Sequence, residues 1–81
     1  MSAGYHMALA DFLTHDGCLA EALVACDQAI ALEPWNAYAH ASKALILRRM
    51  GRFDAARMAM LAAQAATGFA QRKAYEHELV L

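Results

Sequence analysis

Four histidines (His6, His15, His40 and His77) and two cysteines (Cys18 and Cys26) are the side chains best suited to hold a metal or act as nucleophiles. Zinc needs three or four such ligands in fixed geometry, and an H-x-x-x-H or C-x-x-C spacing is the usual sign of them. Neither spacing occurs, since no histidine lies four residues from another and the cysteines are eight residues apart. Eight residues are two helical turns, about 12 Å of rise, too far for a disulfide within one helix. Both cysteines therefore read as reduced thiols, with Cys26 interior and inert and Cys18 at a helix start, where a thiol can be activated. Asp11 and His15 stand one turn apart, the spacing of a general-base pair and equally of an ordinary surface contact. Ser2 and Ser42 are the only serines, and neither lies in a nucleophile elbow. Gly17, Gly51 and Gly68 are isolated turn glycines with no phosphate loop around them. No acid, base and nucleophile can be assembled, so the sequence predicts a non-enzyme: no catalytic residue, metal, cofactor or small-molecule substrate.

The elements that would position any of these residues are helices. The chain has 81 residues, a formal charge of −1 and a 60% apolar composition, with only four glycines and one proline. Near-neutrality argues against nucleic acid as a partner, and the apolar share argues against a disordered tail. Much of that share is alanine, which buries little area but permits close helix contact. No run of 18 uncharged apolar residues spans a membrane, and no base precedes Lys43 to make a signal peptide's basic start. A cytoplasmic location is expected. The charge is polarised: residues 1–42 carry five acids and no base, and residues 43–81 carry seven bases and three acids. Macrodipole compensation by Arg48 and Arg49 at a helix end explains part of this. A head-to-tail contact between oppositely charged poles would exploit it.

Apolar residues recur at helical steps throughout. A first helix ends near Gly17, and a second carries Leu19, Ala22, Leu23, Cys26, Ala29 and Ile30 up to Pro34, which cannot continue it. Asn36 is a natural N-cap for a third helix reaching about Met50, and Gly51 suits its exit. Asp54 opens a fourth helix, expected to close at Gly68, and a fifth segment covers residues 70–81.

A 34-residue repeat underlies these elements. Gly17 matches Gly51, Ala22 matches Ala56, Ala29 matches Ala63, Ala10 matches Ala44, Leu13 matches Leu47 and His6 matches His40. Cys26 aligns with Met60, Leu19 with Phe53 and Pro34 with Gly68. A helix–turn–helix unit of this period resembles the tetratricopeptide repeat family. Residues 3–36 form the first unit, closing on Leu32-Glu33-Pro34-Trp35-Asn36, and residues 37–70 form the second, with Gly51-Arg52-Phe53-Asp54 at its turn. The family's Trp is replaced by His6 and His40, and its final Pro by Gly68. Position 78 should be small in a third unit but is Glu78, so residues 70–81 are expected to cap the array.

The resemblance implies an all-α solenoid of two helix–turn–helix repeats with a capping helix, acting as a protein–protein interaction module. Small alanines would sit at helix crossings, with Leu13, Leu47, Phe53, Cys26 and Met60 filling the layer between. Met58 is expected at the surface, and Trp35 packs over the unit junction or stands out as an anchor. The family's concave groove, carried over by register, takes Met7, Asp11, Thr14 and His15 from the first unit. It takes Tyr38, Ala41, Leu45, Arg48 and Arg49 from the second, and Tyr75 from the cap. The family's carboxylate clamp falls on Met7, Asp11, Ser42, Arg72 and Glu76, of which only Arg72 fits, so that ligand is rejected. The expected partner is a helical or extended apolar segment of another protein, bound by a small scaffold, chaperone or complex subunit. The alternative is a second copy of the chain in a larger assembly. Two units are fewer than such arrays normally need, so apolar surface should remain uncovered.

Overall fold

The computed structural model describes the backbone of residues 2–80 and the side chains of residues 2–68. Four helices follow one another: α1 (Ala3–His15), α2 (Leu19–Leu32), α3 (Ala37–Arg49) and α4 (Phe53–Val80), with no strand among the described residues. Successive helices pack on one another, α1 with α2, α2 with α3 and α3 with α4, and the α2–α3 contact is the slightest of the three.

The chain reverses where its residue types require. Ser2 caps α1 by accepting a hydrogen bond from the Tyr5 amide, and Asn36, 34 residues on, caps α3 by accepting one from the Ala39 amide. α1 leaves through Gly17, whose φ of 85° is left-handed, and α3 leaves through Gly51 at 83°. The hydrogen bonds at the two exits match one for one. The amide of Cys18 donates to Leu13 O at 2.8 Å and that of Gly17 to Thr14 O at 3.1 Å. Their counterparts run from Arg52 to Leu47 O at 2.9 Å and from Gly51 to Arg48 O at 3.0 Å. This double bond pattern satisfies carbonyls that a helix end leaves open. Pro34 halts α2 as expected, two residues after Leu32.

The core obeys the same 34-residue register. Ala10 and Ala44, Ala22 and Ala56, Ala25 and Ala59, and Ala29 and Ala63 are all buried. Ala10, Ala22 and Ala25 join Met7, Cys26, Ala39 and Ile46 in a cluster that knits α1, α2 and α3 together. Ala44, Leu47, Ala56 and Ala59 close α3 onto α4. Alanine at these crossings lets backbones approach, and a larger side chain there would hold them apart.

Two expectations fail here. The fourth helix does not close at Gly68: α4 continues as one 28-residue element, so no separate fifth helix begins at residue 70. A lone glycine costs a helix only about 1 kcal/mol relative to alanine, which the alanine-rich stretch around it outweighs. That helix rises about 42 Å and sets the long axis of a molecule measuring 47 × 29 × 17 Å. The second failure is in the core. Phe53 and Met60, expected in the interhelical layer, are 66% and 43% exposed.

Candidate functional site

The exposed Phe53 and Met60 lie on an open groove between α3 and α4. One stretch, of about 320 Å³, is lined by Ala41, Leu45, Arg48, Phe53, Ala56 and Met60, among others. A second, of about 520 Å³, shares Ala41 and Met60 and continues past Tyr38 and Ala63 to Thr67 and Gly68. The floor is alanine, the walls are large apolar side chains, and Arg48 and Arg57 stand at one end.

The internal repeat explains why this surface is open. Subtracting 34 from each position gives the equivalent surface on α1 and α2, where Ala41 becomes Met7, Phe53 becomes Leu19, Met60 becomes Cys26 and Ala63 becomes Ala29. There the surface is sealed, with Met7, Cys26 and Ala29 buried and Leu19 partly so, because α3 lies across it. α3 covers it with Ala39 and Ile46, both buried, and with Met50, packed at the edge. Lys43 on α3 adds an ion pair to Asp27 on α2 at 2.7 Å. No described side chain does the same for the α3/α4 surface, and its large residues face solvent.

The groove residues expected from the repeat family divide three ways. Tyr38, Ala41, Leu45 and Arg48 line the groove just described. Asp11, His15 and Arg49 are exposed but do not line it, and Thr14 turns its hydroxyl back to Ala10 O at 2.7 Å. Met7 is a correction: it is 6% exposed and belongs to the core, on one buried stripe with Ala3 and Ala10. Tyr75 lies outside the described side chains. Phe53, Ala56, Met60 and Ala63 were not assigned to a binding surface from sequence. The register carries the signal: the surface that α3 seals on α1 and α2 recurs on α3 and α4, where no further helix among the described residues seals it.

The chemically suggestive residues settle into local roles. Asp11 does not pair with His15; its Oδ2 accepts a 2.9 Å hydrogen bond from the Tyr38 hydroxyl across the α1–α3 gap. That bond, more than burial or the Asp11 charge, raises the Tyr38 pKa above its usual 10.0. Burial, aided by the charges of Asp27 and Asp11, pushes the Cys26 thiol up to about 11. At neutral pH it is therefore an unreactive thiol. Cys18 stands at the head of α2 with its Sγ 3.9 Å from Asp16 Oδ2. His40 places Nε2 2.8 Å from Pro34 O, and the His6 ring meets Tyr5 edge-on at 5.4 Å between centroids. Among the described residues no three His, Cys, Asp or Glu side chains converge as metal ligands do. Trp35, in the turn between α2 and α3, is half exposed and lines a shallow hollow with Pro34, His40 and Ala62. Met58, expected at the surface, is there. No helix among the described residues is long and apolar enough to cross a membrane.

Comparison with known proteins returns no match: no family model fits the chain, and no curated protein or solved structure matches it.

Proposed function

We propose that this chain is a non-enzymatic protein–protein interaction module, a short helical solenoid of the tetratricopeptide type, whose α3/α4 groove receives an amphipathic helix. The observation that carries this reading is the contrast between equivalent surfaces. The α1/α2 surface is covered by a helix presenting residues at positions 39, 43, 46 and 50, and no described residue covers its α3/α4 equivalent. An exposed apolar trough with an alanine floor suits a helix laid along it, in the helix-in-groove manner. Arg48 at one end, beside Arg57 with its own exposed ion pair to Asp54 at 3.2 Å, favours an acidic residue on that stretch of the incoming helix. Such a module would serve as a scaffold, a chaperone or a subunit of a larger complex. Two reduced thiols, one of them buried, suit a reducing compartment such as the cytoplasm.

The test uses a synthetic peptide of residues 36–50, the segment that already covers the equivalent surface. It should bind the intact protein saturably in calorimetric titration. Met60→Glu, placing a charge on the groove wall, should abolish binding and leave helicity by circular dichroism unchanged. Binding of equal strength to the Met60→Glu protein would refute the groove assignment.

A further inference from the structure

The outer face of α1 repeats, in register, the face that α3 uses to seal α1 and α2. Ala39, Lys43 and Ile46 of α3, with Met50 at its C-cap, correspond to Tyr5, Leu9 and Phe12 of α1, with Asp16 at its C-cap. Ile46 is 1% exposed in its joint, and Phe12, at the same position of the free face, is 67% exposed; Tyr5 and Leu9 are exposed with it. α1 thus carries an exposed apolar stripe that no described residue covers, at the positions of a docking face. The opposite end of the molecule carries the seat for such a face. We propose that the helix received by the α3/α4 groove is α1 of a second copy of this chain, so that copies join head to tail and continue the internal repeat. This rests on the groove assignment above and names its occupant.

The residues that change between the internal joint and the proposed one change in compatible pairs. Inside the chain, Lys43 pairs with Asp27 at 2.7 Å. In the proposed joint these positions become Leu9 of one copy and Leu61 of the other, both exposed in the single chain. An ion pair is replaced by two leucines, and neither charge is left without its partner. At the other end Met50 becomes Asp16, which comes to the stretch of groove bearing Arg48 and Arg57. The two halves of the chain differ in sign, −5 over residues 1–42 and +4 over residues 43–81, which favours a head-to-tail approach.

The chain's own C-terminal residues are the rival occupant. α4 runs unbroken through Gly68 to Val80 and does not turn back over the groove. In the repeat register they would offer Lys73, His77 and Val80 where α1 offers Tyr5, Leu9 and Phe12. The second is the better apolar face.

A head-to-tail contact uses two different surfaces, so it is heterologous and repeats without a fixed end unless it closes into a ring. Analytical ultracentrifugation of the whole chain, the Phe12→Glu variant and the Met60→Glu variant tests this. The unaltered chain should grow in mass with concentration beyond a dimer. Each variant alone should stay monomeric, its self-affinity about a hundredfold lower or worse, with helicity retained because both side chains are exposed in the single chain. An equimolar mixture should form a one-to-one dimer and stop there, since the Phe12→Glu copy still has a groove and the Met60→Glu copy still has a docking face. A monomeric unaltered chain, a Phe12→Glu variant that assembles as well as the original, or a mixture that stays monomeric would each overturn the proposal. A monomer that still binds the peptide of residues 36–50 would remove this inference and leave the interaction module standing.

Discussion

The Tyr38 hydroxyl donates a 2.9 Å hydrogen bond to Oδ2 of Asp11, joining the first helices of the two repeats. The donor comes from α3 and the acceptor from α1, so the bond ties the repeats together outside the alanine core. It is exposed, and water competes for both partners, so its effect on overall stability is small. Its effect on Tyr38 ionisation is readable.

Tyr38 should titrate above the usual tyrosine range, first because ionisation would forfeit the hydrogen bond it donates to Asp11, and then because of desolvation and the nearby carboxylate charge. A group whose folded pKa is raised contributes stability that is present below its unfolded pKa, near 10.0, and is lost as pH rises through the folded value. Ultraviolet titration of the original chain minus that of Tyr38→Phe isolates this phenol. Asp11→Asn should move its midpoint down, and an unmoved midpoint would mean that the bond does not govern it.

Cys26 follows the same sign. Its thiol pKa is raised from 9.0 to about 11, so the stability linked to it is present below pH 9 and declines as pH climbs toward 11. Alkylation of the native chain at mildly alkaline pH should modify Cys18 and spare Cys26, which is wholly buried. Both should react in denaturant. Mass spectrometry of the digested product distinguishes them, and equal labelling in the native state would contradict the packing.

Two glycines should respond to alanine with opposite signs. Gly51 holds a φ of 83° with open space where a Cβ would stand, so Gly51→Ala suffers backbone strain alone, about 1 kcal/mol or somewhat more. Gly68 lies inside α4, also with open space at its Cβ position, and Gly68→Ala should stabilise by about 0.5–1 kcal/mol. Thermal denaturation measures both. A destabilising Gly68→Ala would mean that the chain turns at that residue.

Close approach at the alanine crossings predicts a third contrast. Ala22 has no exposed surface, and Ala20, two residues away on the same helix, is exposed. Ala22→Leu should cost about 1–3 kcal/mol by overpacking, and Ala20→Leu should change stability by no more than about 0.5 kcal/mol. Urea unfolding of the two variants reads the difference, and equal midpoints would contradict the crossing.

The helix boundaries were legible because local chemistry sets them. Asn36 caps, Pro34 stops, and Gly17 and Gly51 turn, whatever the rest of the chain does. The buried alanines were legible because a 34-residue register places them at equivalent crossings. Gly68 was misread because it aligns with Pro34; proline ends a helix by geometry, and glycine only weakens one. Phe53 and Met60 were misread for a different reason. Their equivalents Leu19 and Cys26 are covered by α3, and register alone carried that cover onto a unit that no described helix covers in turn. Met7 erred in the opposite sense, since the family's groove positions placed it outward and its own stripe with Ala3 and Ala10 faces the core.

Magnetic resonance tests most directly whether the α3/α4 surface is a seat for a helix. Isotope-labelled Phe12→Glu protein, titrated with the unlabelled peptide of residues 36–50, should show saturable shifts at Ala41, Leu45, Ala56, Met60 and Ala63. The amides of Glu21, Val24 and Gln28, on the outward side of α2, should not move. Shifts confined to α1 and α2, or none at about 1 mM peptide, would contradict the account.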